Sequence, residues 1–222
     1  MALADFTFDQ DGADAVATLS GSSPIQGGAS LLIQMSVNNV SRWALAYTAG
    51  LTKECVEARV LLRQSVVGAG NFRNIGIFAQ MQGGAAVLNN AYYVGLHNDS
   101  FGAVGVITIN KGSVDSSITN NSGQANAVAQ LPNEDDVVAL GIRCEMDSVS
   151  GNVLVTALYD PGPITIPVSA GYDFPGLIQM VSYLDAVSPY TTGTFGLAGQ
   201  IALGDAFGAY SQTFDVLVVD TD

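Results

Sequence analysis

Charge is what this chain has least of. Asp, Glu, Lys and Arg make up 12% of its 222 residues, about half of the ~25% usual for a soluble domain. Seven residues are basic and twenty acidic, for a net charge of −13. Only Arg59, Arg63 and Arg73 come near one another, spread along strand-like sequence. An acidic surface repels phosphate and no basic cluster offsets it, so no nucleic-acid partner is expected. Long apolar runs are missing too. Mean hydropathy is +0.32, yet no stretch nears the ~20 apolar residues of a membrane helix, and no membrane partner is expected. So little surface charge suits a face covered by another protein, or simply a neutral Ser/Thr/Asn/Gly surface.

Residues for chemistry are equally scarce. There is one histidine, His97, so any Ser/His/Asp or Cys/His device would have to use it. No G-x-S-x-G elbow occurs, and His97 beside Asn98 and Asp99 reads as a loop residue at a strand end. With one histidine and two cysteines a zinc ligand set is not expected. No phosphate-binding or dinucleotide glycine fingerprint is present. Cys55 and Cys144 fit a reducing compartment as thiols. Residues 1–10 have neither a basic n-region nor a continuous apolar core, so synthesis in a cytoplasm, without a secretory signal, is expected.

What is present is alternation of period two. Val56, Ala58, Val60 and Leu62 alternate with Glu57, Arg59 and Arg63. Val138, Leu140, Ile142, Cys144 and Met146 alternate with Arg143, Glu145 and Asp147. A helical stripe cannot satisfy that pattern over ten residues, so these are strands. Residues 152–160 follow a Ser/Gly/Asn turn and complete a long hairpin. Further strands are expected at 5–9, 31–37, 42–48, 75–81, 92–97, 104–110, 194–198 and 213–220, with Gly/Asn/Ser turns between them.

About ten short strands spaced this way predict an all-β fold, a two-sheet antiparallel sandwich with at most one or two short helices. Two stretches break the rhythm. Residues 115–132, rich in Ser, Asn, Gly and Ala, read as a long exposed loop. Between Pro161 and Tyr190, Leu177, Met180, Val181 and Leu184 fall at helical spacing, which predicts one short helix over 176–186. No linker, charge run or repeat divides the chain, so one domain over residues 1–222 is expected.

From about residue 50 to 220 the chain resembles the concanavalin A-like (laminin G, lectin and glucanase) jelly-roll superfamily. The resemblance is carried by Cys55–Arg63, Ile75-Gly76-Ile77-Phe78-Ala79 and Ala91-Tyr92-Tyr93-Val94-Gly95-Leu96. It continues through the 138–146/153–160 hairpin, Gly193-Thr194-Phe195-Gly196-Leu197-Ala198-Gly199 and Phe214-Asp215-Val216-Leu217-Val218-Val219. It implies a curved jelly roll whose concave face often holds sugar.

The catalytic string of glycanases on that fold, E-x-D-x-x-E, is absent. Glu54 and Glu57 would point to opposite faces of a strand, and Glu134, Asp135 and Asp136 read as a solvated turn. No catalytic residue is therefore assigned. The D-x-x-x-N-x-x-x-D-x-x-H pattern of calcium-binding lectins is missing as well. Asp9, Asp11 and Asp14 read better as acidic turns than as a calcium loop, so no metal and no cofactor is expected. For sugar, an aromatic platform with polar groups beside it could be built from Trp43, Tyr93, His97 and Asn98, although core packing is the plainer reading of Trp43.

The favoured functional expectation is a non-enzymatic structural subunit of a tailed-phage virion: a head-decoration (cement) protein, or a tail or fibre component. It would be made in the host cytoplasm, form a homo-oligomer and contact other virion proteins. A carbohydrate-binding module for host or polysaccharide recognition, with a glycan as partner, is the alternative. A hydrolase or lyase with departed motifs stands third.

Overall fold

A computed structural model describes residues 6–10, 15–21, 25–26, 28–35, 42–47, 55–66, 74–82, 90–97, 104–113, 123–166, 172–201 and 210–221. Alternation decides its elements. In β5 (Cys55–Val66), Ala58, Val60 and Leu62 turn to one side, and in β10 (Val137–Met146) Val138, Leu140 and Ile142 stand opposite them. β11 (Val153–Asp160) extends the rows to Val60–Leu140–Tyr159 and Ala58–Ile142–Ala157. All are buried in one apolar cluster. Each such side chain contributes about 1.5–3 kcal/mol by leaving water.

The first sheet runs β1 (Thr7–Gln10), β4 (Arg42–Tyr47), β13 (Thr194–Ile201), β6 (Asn74–Met81), β7 (Asn90–His97), β8 (Val104–Ser113), β9 (Ala125–Gln130). The second runs β12 (Ile178–Asp185), β11, β10, β5, β14 (Tyr210–Thr221), β3 (Ser30–Met35), β2 (Ala15–Ser20). Neighbours pair antiparallel throughout. Between the sheets, Ile75, Ile77, Tyr92, Val94, Ile107 and Leu197 of the first meet Leu31, Val60, Leu140, Val155 and Phe214 of the second. This is the expected sandwich.

Two expectations are corrected. No helix occurs among the described residues, and the stretch expected to be helical is strand β12. Its register against β11 shifts where Ala157 faces Val181 and Leu158 faces Gln179, leaving Met180 as an extra residue. A bulge turns neighbouring residues to one side, so Met180, Val181 and Tyr183 all rest on the core. That imitates helical spacing. Likewise, the loop expected over 115–132 contains β9. Its Ala129 is buried and Ala125 packs on the core, while Asn126, Val128 and Gln130 face out. Alanine is a weak strand former, which hid the pattern.

The sheets also bury more than their inner sides. Leu61 and Ala139 sit on the outer side of the second sheet under Phe174, with Ile164, Ile166, Tyr172 and Leu177 packed around them. Ile164 N–H donates to the Val137 carbonyl (2.7 Å), and the Arg59 guanidinium lies 5.8 Å over the Phe174 ring. On the outer side of the first sheet Phe78, Gln80, Tyr93, Thr108 and Asn110 are buried as well.

Candidate functional site

The outer side of the first sheet is the polar, aromatic one, and its shape begins with two glycines. Gly76 on β6 faces Gly95 on β7, and Gly95 faces Thr108 on β8. Without side chains, the glycine pair leaves a shallow trough. Tyr93 fills it: a Cβ on Gly76 would lie 2.5 Å from the Tyr93 Cζ and Oη atoms, and one on Gly95 would strike the same ring. The same atom on Gly95 would lie 2.7 Å from His97 Nε2. Tyr93 and His97 therefore lean over one glycine from its two sides, their rings edge to face with centroids 6.3 Å apart. Beside them Asn110 Nδ2 donates to Thr108 Oγ1 at 3.0 Å.

Of the four residues expected to bind sugar, the fold thus brings Tyr93 and His97 together. Both are buried, at 0% and 2% exposure, so they form the floor of this face. His97 is not a loop residue; it closes β7. Neither of its ring nitrogens has a hydrogen-bond partner, and burial pushes the imidazole down to about 4. Trp43 lies in β4, where it faces Gln200, which faces Asn74. Continuing the β6–β7 register from Ile75/Leu96, that row reaches His97. The two backbones stand three strand spacings apart, about 14 Å. The Trp43 side chain and all of Asn98 lie outside the described residues.

Sequence reasoning missed Phe78, Gln80, Thr108 and Asn110 on this face. The signal was available in Ile75-Gly76-Ile77-Phe78-Ala79-Gln80 and Tyr92-Tyr93-Val94-Gly95-Leu96-His97. In both, aliphatic residues alternate with glycine, aromatic or polar ones.

A second polar cluster ties the sandwich at one edge. The Tyr92 hydroxyl donates to Asp185 Oδ2 (2.6 Å), and Lys111 Nζ pairs with the same oxygen (2.6 Å). Lys111 also donates to the carbonyls of Val187 (2.6 Å) and Ser188 (3.1 Å), and Tyr190 N–H donates to the Tyr92 oxygen (2.9 Å). Burial, and then the bond to Asp185, push the Tyr92 phenol far up. Every charge here is answered, so the cluster does structural work.

The acids expected to be non-catalytic are occupied elsewhere. Glu57 pairs with Arg143 and Arg59 on the outer side of the second sheet, and Asp136 accepts from Asn133 in a turn. Asp11 and Asp14 lie outside the described residues. Among those described, no three His, Cys, Asp or Glu side chains gather as a metal set.

A scan against protein-family models finds no match, and a search of curated proteins finds none either. Solved structures do match. A legume lectin-like domain from Entamoeba histolytica superposes with a TM-score of 0.54 at 10% identity, covering 98% of this chain and 90% of that one. The cellulose-induced protein Cip1 gives 0.55 at 13% identity, with 99% and 93% covered. The exoplasmic/lumenal domain of VIP36, solved with Ca2+ and Man3GlcNAc bound, gives 0.51 at 13% identity, with 99% and 86% covered.

At these identities the likeness is one of fold. It bears out the expected concanavalin A-like sandwich. It also corrects the expectation of a virion subunit: the shared architecture is that of lectin-like domains, one of them holding a glycan.

Proposed function

We propose that this domain is a non-catalytic carbohydrate-binding module, with its sugar site on the outer face of the first sheet. The observation that carries the reading is the lectin-like fold joined to that face, where aromatic and neutral hydrogen-bonding side chains gather without a charge from β13 through β6, β7 and β8 to β9. Sugars are bound by stacking on aromatic rings and by planar amides and hydroxyls that match their own hydroxyls. Tyr93, His97, Thr108 and Asn110 lie buried beneath that face and set its shape rather than touch sugar. Trp43, on β4 of the same sheet, and Asn98 are the further residues the reading draws on. Asn126 and Gln130, exposed on β9, extend the face with amides.

Among the described residues of this face no acid and base stand paired, which supports binding without turnover. The described residues gather no calcium set, so no part of the reading runs through a cation.

A glycan array followed by calorimetric titration tests it. The expected result is saturable binding to an oligosaccharide, weakened about tenfold or more, 1.4 kcal/mol, by Trp43→Ala with the circular dichroism spectrum unchanged. Failure to bind any glycan across a broad array would overturn the reading.

A further inference from the structure

His97 is the chain's one histidine, and its placement carries a second inference, independent of sugar. A neutral imidazole offers one N–H donor and one acceptor lone pair. Here both nitrogens are buried without partners, although a buried polar atom left unpaired costs stability and the great majority are satisfied. An apolar ring would fill the same space against Tyr93 and Gly95 without that cost. What imidazole has and an apolar ring lacks is the ability to take up a second proton near neutral pH.

The surroundings are hostile to that proton. On the outer side of β7 the one titratable neighbour is Tyr93. The outer side of β6 presents Gly76, Phe78 and Gln80; that of β8 presents Val106, Thr108 and Asn110. β9 presents Asn126, Val128 and Gln130, and β13 presents Thr194, Gly196 and Ala198. None of these carries a charge, and the ring is 2% exposed. Among the described residues an imidazolium would stand there without a counter-ion, and it would have almost no solvent.

We propose that His97 is an acid-operated latch: while neutral it lets the outer face of the first sheet stay closed at the β7 end, and its protonation forces that end open. The sign follows from the shift. The imidazole is pushed down from 6.5 to about 4 when closed, so the open form binds the proton more tightly. The closed form is fully favoured above pH 6.5 and loses ground as pH falls toward 4; below that, His97 adds no further dependence. The open-to-closed ratio rises about tenfold per pH unit within the window, roughly 30-fold by pH 5. Ordinary carboxylates titrate near its lower end. Protonating them lowers the net charge of −13 and relieves self-repulsion, which opposes the latch and sets its direction apart.

Nuclear magnetic resonance on the intact chain tests this without substitution. The His97 ring should stay neutral through pH 6.5. Amide exchange at Tyr93, Gly95 and His97, corrected for the intrinsic rate, should accelerate about 30-fold between pH 7.5 and 5. His97→Phe, or His97→Leu should the first not fold, should flatten that acceleration. A ring titrating at the ordinary 6.5, exchange indifferent to pH, or an unchanged pH profile in the folded variant would each overturn the latch. A domain that binds no glycan would leave all three readouts intact.

Discussion

Tyr92 on β7 and Asp185 on β12 meet at 2.6 Å across the sandwich, so their hydrogen bond ties the first sheet to the free edge of the second. Asp185 is fully buried and also holds Lys111, whose side chain is 16% exposed. The bond therefore lies in a setting where unpaired groups are costly.

Tyr92→Phe should cost about 1–3 kcal/mol, because it removes a donor from Asp185 and an acceptor from the Tyr190 N–H. Lys111→Met should cost more, about 3–5 kcal/mol, because a buried carboxylate loses its cation. Urea denaturation measures both. The double variant should fall short of the sum, since the two side chains share one oxygen. Strict additivity would count against a shared network.

Gly76→Ala and Gly95→Ala should each destabilise by about 1–3 kcal/mol through overpacking. Gly76 should be the worse position. Its Cβ would strike the Val94 carbonyl, part of the backbone, as well as Tyr93, whereas at Gly95 the obstacles are the side chains of Tyr93 and His97. Shortening Tyr93 to Leu should recover part of the Gly95→Ala loss. Thermal melts of the three proteins read the comparison.

Leu140→Ala should cost about 2–5 kcal/mol, because it opens a cavity between the sheets. Val149→Ser, at a hairpin tip 93% exposed, should stay within about 0.5 kcal/mol. Chemical denaturation that ranked them the other way would move the core away from β10.

The hairpin of β10 and β11 was legible because one side of β10 is aliphatic and the other carries Arg143 and Glu145. Aliphatic runs explain less where both sides are covered. Val60, Leu61 and Leu62 break period two because Leu61 belongs to the smaller cluster under Phe174. β12 was hidden by its bulge and β9 by its alanines. The candidate face was half legible: Tyr93 and His97 were chosen for their chemistry, but their burial was not foreseen. Polar neighbours at 98 and 99 made His97 look like loop. The trough beneath it arises from the register of Gly76 against Gly95, a relation between strands that no single segment records.

The extra residue at Met180 has an effect beyond imitating a helix. Strand β12 is the last of its sheet and exposes Ile178 and Leu184. No lysine or proline interrupts it, the usual guards of an unpaired strand. A kinked, over-twisted border is a poor template for another chain. By that rule the extra residue at Met180 should disfavour border-to-border stacking of the domain. Deleting that one residue would straighten the strand and should turn a dispersed protein into one that precipitates on standing.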